Sequence, residues 1–301
     1  MKKTGGEAMI EIKRLKDCTI EEGVAAWNTG FKGYYFDATT TADKFVTRLA
    51  NEGLSPNLSI VAFMDKKPIG IVKNGIREFN DKKLAWNGGT GVASELRKKG
   101  IGKMLMEATL SILSEEKVDY ASLEAISDNV KAISLYEKMG YEIIDNLEYL
   151  GLNGHLDNKY SPVSLGNYKV ERAVPQQIGV IPFYQGMNPW QTQWQSARDG
   201  EAIIVKDTDE NSIGYAYYRR TFNAEGKHVN TVLYQLGAEP EHKNGEQITR
   251  YLIDEVFRSF TDDINRVVPN VPVSNSALTH SILKEIGFQS LTEQVYMIKK
   301  M

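Results

Sequence analysis

Trp86-Asn87-Gly88-Gly89-Thr90-Gly91-Val92, followed closely by Arg97-Lys98-Lys99-Gly100-Ile101-Gly102, is the stretch whose reading decides how this chain is organised. After it, Met104, Leu105, Ala108 and Ile112 recur at helical spacing, so a glycine-rich basic loop empties into the start of an amphipathic helix. The first N–H groups of a helix have no partner within it, and the helix dipole adds partial positive charge there. Glycine lets the backbone close on a ligand and adopt positive φ without steric cost. Together these features predict a seat for a phosphate or pyrophosphate.

Further along, Tyr120 to Ala125 reads as a short strand, and Asn129 to Met139 as a helix ended by Gly140. Two spacings stand in order: Arg97-x-x-Gly100-x-Gly102, then Asn129-x-x-Ala132-x-x-Leu135-Tyr136-x-x-x-Gly140-Tyr141. This pair resembles the acyl-CoA-binding core of the GNAT superfamily of N-acetyltransferases. The resemblance implies an α+β fold in which each domain is a mixed, mostly antiparallel twisted sheet flanked by helices. It implies acetyl-CoA as the cofactor, held by Gly91, Val92, Arg97, Lys98, Lys99, Gly100, Ile101, Gly102, Lys103, Asn129 and Ser134.

The composition suits a globular protein: 301 residues, enough for two domains, with 42% hydrophobic and 25% charged residues. A net charge of -3 argues against nucleic acid as a partner bound by bulk electrostatics. The single cysteine, Cys18, excludes an internal disulfide or a cysteine-based zinc site and fits a reducing cytoplasm. The four histidines, His155, His228, His242 and His280, show no metal-ligand spacing. No signal-peptide pattern opens the chain, residues 1–8 read as an unstructured extension, and no run is long enough to span a membrane.

In chain order, Met9 to Leu15 reads as a strand, Thr19 as the cap of a helix from Ile20, and Thr41 to Glu52 as a second helix. Between the helices lies Gly30-Phe31-Lys32-Gly33-Tyr34-Tyr35-Phe36-Asp37. In the GNAT fold this connection covers the acceptor, so the resemblance implies that Tyr34, Tyr35 or Asp37 touches substrate; aromatic packing under a loop is the other reading. Leu58–Met64 and Pro68–Ile76 form a hairpin, Glu78–Lys83 a turn, and Leu84–Val92 the strand that delivers the glycine loop. Gly88, Gly89 and Gly91 weaken that strand unless something approaches its backbone; a pantetheine arm or a β-bulge explains them, and the two readings are compatible. Residues 142–145 close a first domain over 9–150, and 151–166 read as a polar linker.

From Tyr168 the pattern begins again, giving a second domain over 167–301. It departs where chemistry needs it most. The loop after Gly237 lacks the Arg-x-x-Gly-x-Gly spacing and puts Glu246 where a phosphate belongs. Four residues before Gly140 stands Tyr136; four before Gly287 stands Leu283. The second half therefore reads as a degenerate GNAT-like domain, serving as structure, substrate wall or the contact of a homodimer.

Acetyl transfer to a primary amine of a small molecule or peptide needs a base for the ammonium and a proton for the departing thiolate. The resemblance puts Tyr136 beside the thioester sulfur as general acid and lets Asn129, a helix cap, also hydrogen-bond the pantetheine. Arg97 is expected to hold the loop or lie near the phosphates. Glu124, five residues before Asn129, is the candidate base; Asp37 and solvent compete with it. The alternative is a CoA-responsive binding or regulatory protein without turnover. A dinucleotide oxidoreductase and a P-loop kinase both fail for want of their glycine patterns.

Overall fold

Capping chemistry sets the first elements. Ile10–Arg14 forms β1, and Thr19 opens Ile20–Gly30 (α1) with a capping box: the Glu22 N–H donates to Thr19 Oγ1 (3.2 Å) and the Thr19 N–H to Glu22 Oε2 (2.8 Å). Thr41 caps Ala42–Glu52 (α2), which stops at Gly53 in the left-handed region, φ 66°. Ile60–Met64 (β2), Lys67–Phe79 (β3) and Lys82–Val92 (β4) form an antiparallel meander. The turn expected over 78–83 is shorter than that. Asn80 and Asp81 both take positive φ, giving a two-residue turn that keeps the flanking residues in the ladder.

Ile101–Glu115 (α3), Tyr120–Ile126 (β5) and Val130–Lys138 (α4) follow. The strand order is β1-β2-β3-β4-β5, antiparallel except for the parallel pair β4/β5. Ile101, Leu105 and Ile112 of α3 pack with Ile60, Ala62, Ile69 and Val72; Leu15, Ala26, Trp27 and Phe45 form a separate cluster with Val61, Phe63 and Ile71. Helices therefore cover both faces. Each large apolar side chain so buried contributes about 1.5–3 kcal/mol.

The remaining elements are Glu142–Asn153 (β6), Lys169–Ala173 (β7), Pro175–Ile178 (α5), Glu201–Lys206 (β8), Ser212–Phe222 (β9), His228–Ala238 (β10), Gly245–Phe257 (α6), Asn265–Pro272 (β11), Ala277–Ile286 (α7) and Gln289–Lys300 (β12). Here the order is β6-β11-β10-β9-β8-β7, antiparallel except β10/β11, again a mixed sheet with helices. Pro175–Ile178 is a single turn, and the Trp194 indole packs on Gly179 so closely that a Cβ there would meet Nε1 at 2.6 Å.

This computed structural model describes residues 9–156, 164–260 and 262–301. Its two units are Met1–Glu142 with Met297–Met301, and Ile143–Tyr296. The strand expected over 142–145 continues to Asn153, in register with β11 from Leu147 to Asn153. Gly151, expected to break the chain, instead accommodates Leu291, which a Cβ would meet at 2.6 Å. The chain's last residues count with the first unit, where the Met301 N–H donates to the Asp119 carbonyl (2.9 Å). Residues 1–8 and the 157–163 part of the expected linker lie outside the described residues.

Candidate active site

The start of α3 is built as the glycine spacing predicted. Lys98 (φ 65°) and Gly100 (φ 83°) take left-handed conformations that swing the chain into the helix, and no side chain caps it. Nothing lies within 4 Å of where a Gly100 Cβ would be. Lys98, Lys99 and Lys103 are exposed or partly exposed around this start, while Ile101 is buried in the core and offers only backbone. Gly102 brings the first turn against α4: a Cβ would meet Leu135 Cδ2 at 3.2 Å. Arg97 holds the loop. Its Nε donates to the Val92 carbonyl (3.0 Å) and one terminal nitrogen to the carbonyls of Gly30 (3.1 Å) and Lys32 (3.3 Å).

β4 and β5 pair only from Leu84/Tyr120 to Trp86/Ser122, and beyond that β4 continues with β3 alone. The register then shifts: Asn87 faces Asn74 and Thr90 faces Val72, so Gly88 and Gly89 together oppose Lys73. This is a β-bulge. The glycines have a packing cause. A Cβ would meet Trp86 at Gly88 (2.7 Å), Trp27 at Gly89 (2.9 Å) and Phe31 at Gly91 (2.7 Å). The close approach that the sequence demanded is therefore made, in this chain, by aromatic side chains.

Tyr136, on α4, is buried; burial pushes its pKa up to about 12, with the nearby Thr90 side chain acting in the opposite direction. Tyr34 is half-buried nearby, its phenol raised by burial, with the Asn129 side chain acting in the opposite direction. Asn129 also caps α4, accepting from the Ala132 N–H (3.3 Å). Tyr34, Asn129 and Tyr136 are thus brought together, with Ser134 half-buried on the same helix. Tyr35 and Phe36 are exposed. Asp37 is fully exposed and closes a turn on the Thr39 N–H (2.9 Å), whose hydrogen bonds hold its carboxyl below the usual range. Glu124 is half-buried on β5, and its Oε2 accepts from Trp86 Nε1 (2.7 Å).

Trp86, Asn87, Thr90 and Lys73 escaped the sequence reading. Asn87 and Thr90 are three residues apart, a spacing that in a regular strand turns side chains to opposite faces. Only the bulge aligns them. Lys73 is buried with Nζ 3.6 Å from the Trp27 ring centroid; burial, then the Arg48 guanidinium, push its pKa down to about 6.

The second unit repeats the register shift with other side chains. On β10, Leu233 faces Tyr218, Leu236 faces Ala216 and the register shifts between them. Register therefore equates Asn87 with Leu233, Thr90 with Leu236 and Lys73 with Tyr217. Leu283 stands in place of Tyr136, and all three leucines are buried in one core. A cavity of about 20 Å³ lined by Asn188, Gln235, Asn270 and Ser276 holds no more than a water. Glu246, in the first turn of α6, is paired with Arg250 (2.9 Å). Among the described residues no cluster of His, Cys, Asp and Glu suits a metal, and no helix is long and apolar enough to cross a membrane.

Residues 22–141 match the model of the Acetyltransferase (GNAT) family. The chain is 34% identical over 95 residues to N-alpha-acetyltransferase 30 of Dictyostelium discoideum, a match that covers 31% of this chain and 50% of that protein. It thus spans about half the length of this curated relative. Two solved structures share the fold over nearly the whole chain. One is a GCN5-related N-acetyltransferase from Sphaerobacter thermophilus, at TM-score 0.59 and 12% identity, covering 97% of this chain and 95% of that one. The other is a tandem GNAT protein from the clavulanic acid biosynthesis pathway, at TM-score 0.60 and 12% identity, covering 98% of each.

Proposed function

We propose that this chain, whose residues 22–141 belong to the Acetyltransferase (GNAT) family, moves an acetyl group from acetyl-CoA to the primary amine of a peptide. The observation that carries this reading is the conjunction, in one unit, of an uncapped, lysine-flanked helix start and the buried phenol of Tyr136. The likeness to N-alpha-acetyltransferase 30 favours a peptide α-amine over a small-molecule amine as acceptor.

The residues present fit the donor. The N–H groups of Ile101, Gly102 and Lys103 meet no capping side chain, Gly100 leaves open space, and Lys98, Lys99 and Lys103 add positive charge for a pyrophosphate. Asn129 and Ser134 line the helix beyond. When bound, acetyl-CoA supplies the acetyl group as a thioester, and a thiol leaves. Glu124, steadied by the Trp86 indole, accepts the proton that the incoming ammonium loses, so that its nitrogen can form the new C–N bond. Tyr136 holds a proton at Oη for the sulfur that departs with the electron pair of the broken C–S bond. Asp37 is the weaker base, being fully exposed with its carboxyl held below the usual range by the Thr39 hydrogen bonds.

The test is a thiol-release assay with acetyl-CoA against peptides with free or blocked N-termini, free lysine and small amines. Release with free-N-terminus peptides, lost on blocking, is the expected result. Release with small amines alone would move the acceptor class. Binding of acetyl-CoA without release to any amine would reduce the protein to a CoA-responsive binding module.

A further inference from the structure

Trp86 is the last residue of β4 that pairs with β5, opposite Ser122, and that point is pinned: the Ser122 hydroxyl donates to the Ala85 carbonyl at 3.0 Å. Past it the two strands part. Glu124 follows Ser122 by two residues and so shares its face of β5, one step beyond the end of the pairing. The indole crosses that step. Its Nε1 donates to Glu124 Oε2 at 2.7 Å, the length of a hydrogen bond to a charged acceptor. What aims the ring is Gly88, two residues on in β4: a Cβ there would meet Trp86 Cζ3 at 2.7 Å and Leu54 Cδ2 at 2.8 Å. The six-membered edge of the indole lies over that glycine, which leaves the N–H edge turned toward Glu124. Trp86 is 3% exposed, so little water competes for the bond.

We infer that Trp86 is a positioning residue for Glu124, its indole N–H holding the carboxylate where β4 and β5 part, in the place from which it takes the acceptor's proton. The inference rests on the base role proposed for Glu124 and deepens it. A base acts only within hydrogen-bond reach of the proton it removes, and a glutamate side chain has much rotamer freedom to lose before it stays there. An indole is a donor only. It therefore fixes the carboxylate without competing for the proton that the carboxylate must accept. The second unit supplies the contrast. There the pairing of β10 with β11 ends at Val232/Val267, and register equates Val232 with Trp86, Tyr234 with Gly88 and Pro269 with Glu124. Donor, acceptor and the glycine that makes room for the ring are absent together. Parting strands do not by themselves call for an indole N–H; the carboxylate does.

The experiment replaces Trp86 in the full chain with benzothienylalanine, which keeps the bicyclic shape and puts sulfur where the N–H stood. With acetyl-CoA and a peptide of free N-terminus, kcat is expected to fall about tenfold while KM for acetyl-CoA stays within roughly twofold. In a Glu124→Gln background the same replacement should cost less than about twofold, because no carboxylate is left to place. A tryptophan with a merely structural role would slow both backgrounds alike, and that result overturns the inference. A second measurement leaves Trp86 unchanged and needs no turnover. The Trp86 indole N–H cross-peak, told from the other three indoles by its through-space links to Gly88, is expected to move upfield in Glu124→Gln. A cross-peak that stays in place overturns the inference and leaves the base role of Glu124 to its own kinetics. A cross-peak that moves, with full turnover in Glu124→Gln, upholds the hydrogen bond but overturns that base role, and the positioning with it.

Discussion

Two strands of this molecule, β4 and β10, take the same path with opposite consequences. Each pairs antiparallel with its hairpin partner, slips register by one residue midway (β10 also near His228), and ends beside a glycine of that partner, Gly70 in one case and Gly214 in the other. On β4 the residues flanking the slip are Asn87 and Thr90, and the helix above supplies Tyr136. On β10 they are Leu233 and Leu236, and the helix supplies Leu283. The difference teaches that the bulge is a way of aiming side chains and carries no chemistry of its own. Filled with leucines it becomes ordinary core, and the polar groups of the first unit are then the feature in need of explanation.

The helix starts that follow are the first place to break the comparison. Glu246 already occupies the opening turn of α6. Putting the same charge into the other unit, Gly102→Glu sets a carboxylate at the proposed pyrophosphate seat and a Cβ 3.2 Å from Leu135. Acetyl-CoA should raise the melting temperature of the parent protein, and the variant should lose that shift, with affinity down at least roughly a hundredfold. A retained shift in a thermal melt would disconnect the glycine loop from the donor.

The next largest effect belongs to the phenol. Tyr136→Phe should lower kcat about a hundredfold with KM for acetyl-CoA little changed, because the ring remains and only the proton is gone. Full turnover in steady-state kinetics would make Tyr136 equivalent to Leu283.

Lys73 and its counterpart Tyr217 sharpen the contrast through stability. Tyr217 is neutral and donates to the Thr192 carbonyl; Lys73 is an amine enclosed under Trp27 and Phe45. Its pKa lies at about 6 in the folded chain against an ordinary value of 10.5, so between those pH values the unfolded chain binds a proton that the native one does not. Stability then rises with pH across that window, and the penalty is complete below about pH 6. Lys73→Met should stabilise the protein by about 1–3 kcal/mol at neutral pH, and its advantage should fade as pH climbs toward 10. Denaturant melts at several pH values would show it, and an advantage that is flat with pH would mean the amine stays charged.

The smallest effect is expected at Asp37. Asparagine keeps the turn bond to the Thr39 N–H, so Asp37→Asn should change turnover less than about twofold, whereas Glu124→Gln should slow it about tenfold or more. Reversed results in the same assay would move the base from β5 to the loop.

The cap at Thr19, the open start of α3, the cap at Asn129 and the stop at Gly140 were all legible in the chain, because each depends on residues within one helical turn or on a single glycine's φ. So were Leu283 in the place that Tyr136 takes in the first half and Glu246 in the opening turn of α6. The orientation of Thr90 was not legible. A bulge is a relation between two strands, and only the β3 partner shows that Gly88 and Gly89 share one position opposite Lys73. The assignment of β6 to a sheet with β11 was hidden for the same reason, since pairing across more than a hundred residues leaves no local mark. Nor does a lysine carry in its neighbours along the chain the indole that will enclose it. Local conformational preference thus wrote the helix ends and the open start of α3, while the direction of the polar groups, and the charge they can bear, were decided by packing between segments distant in sequence.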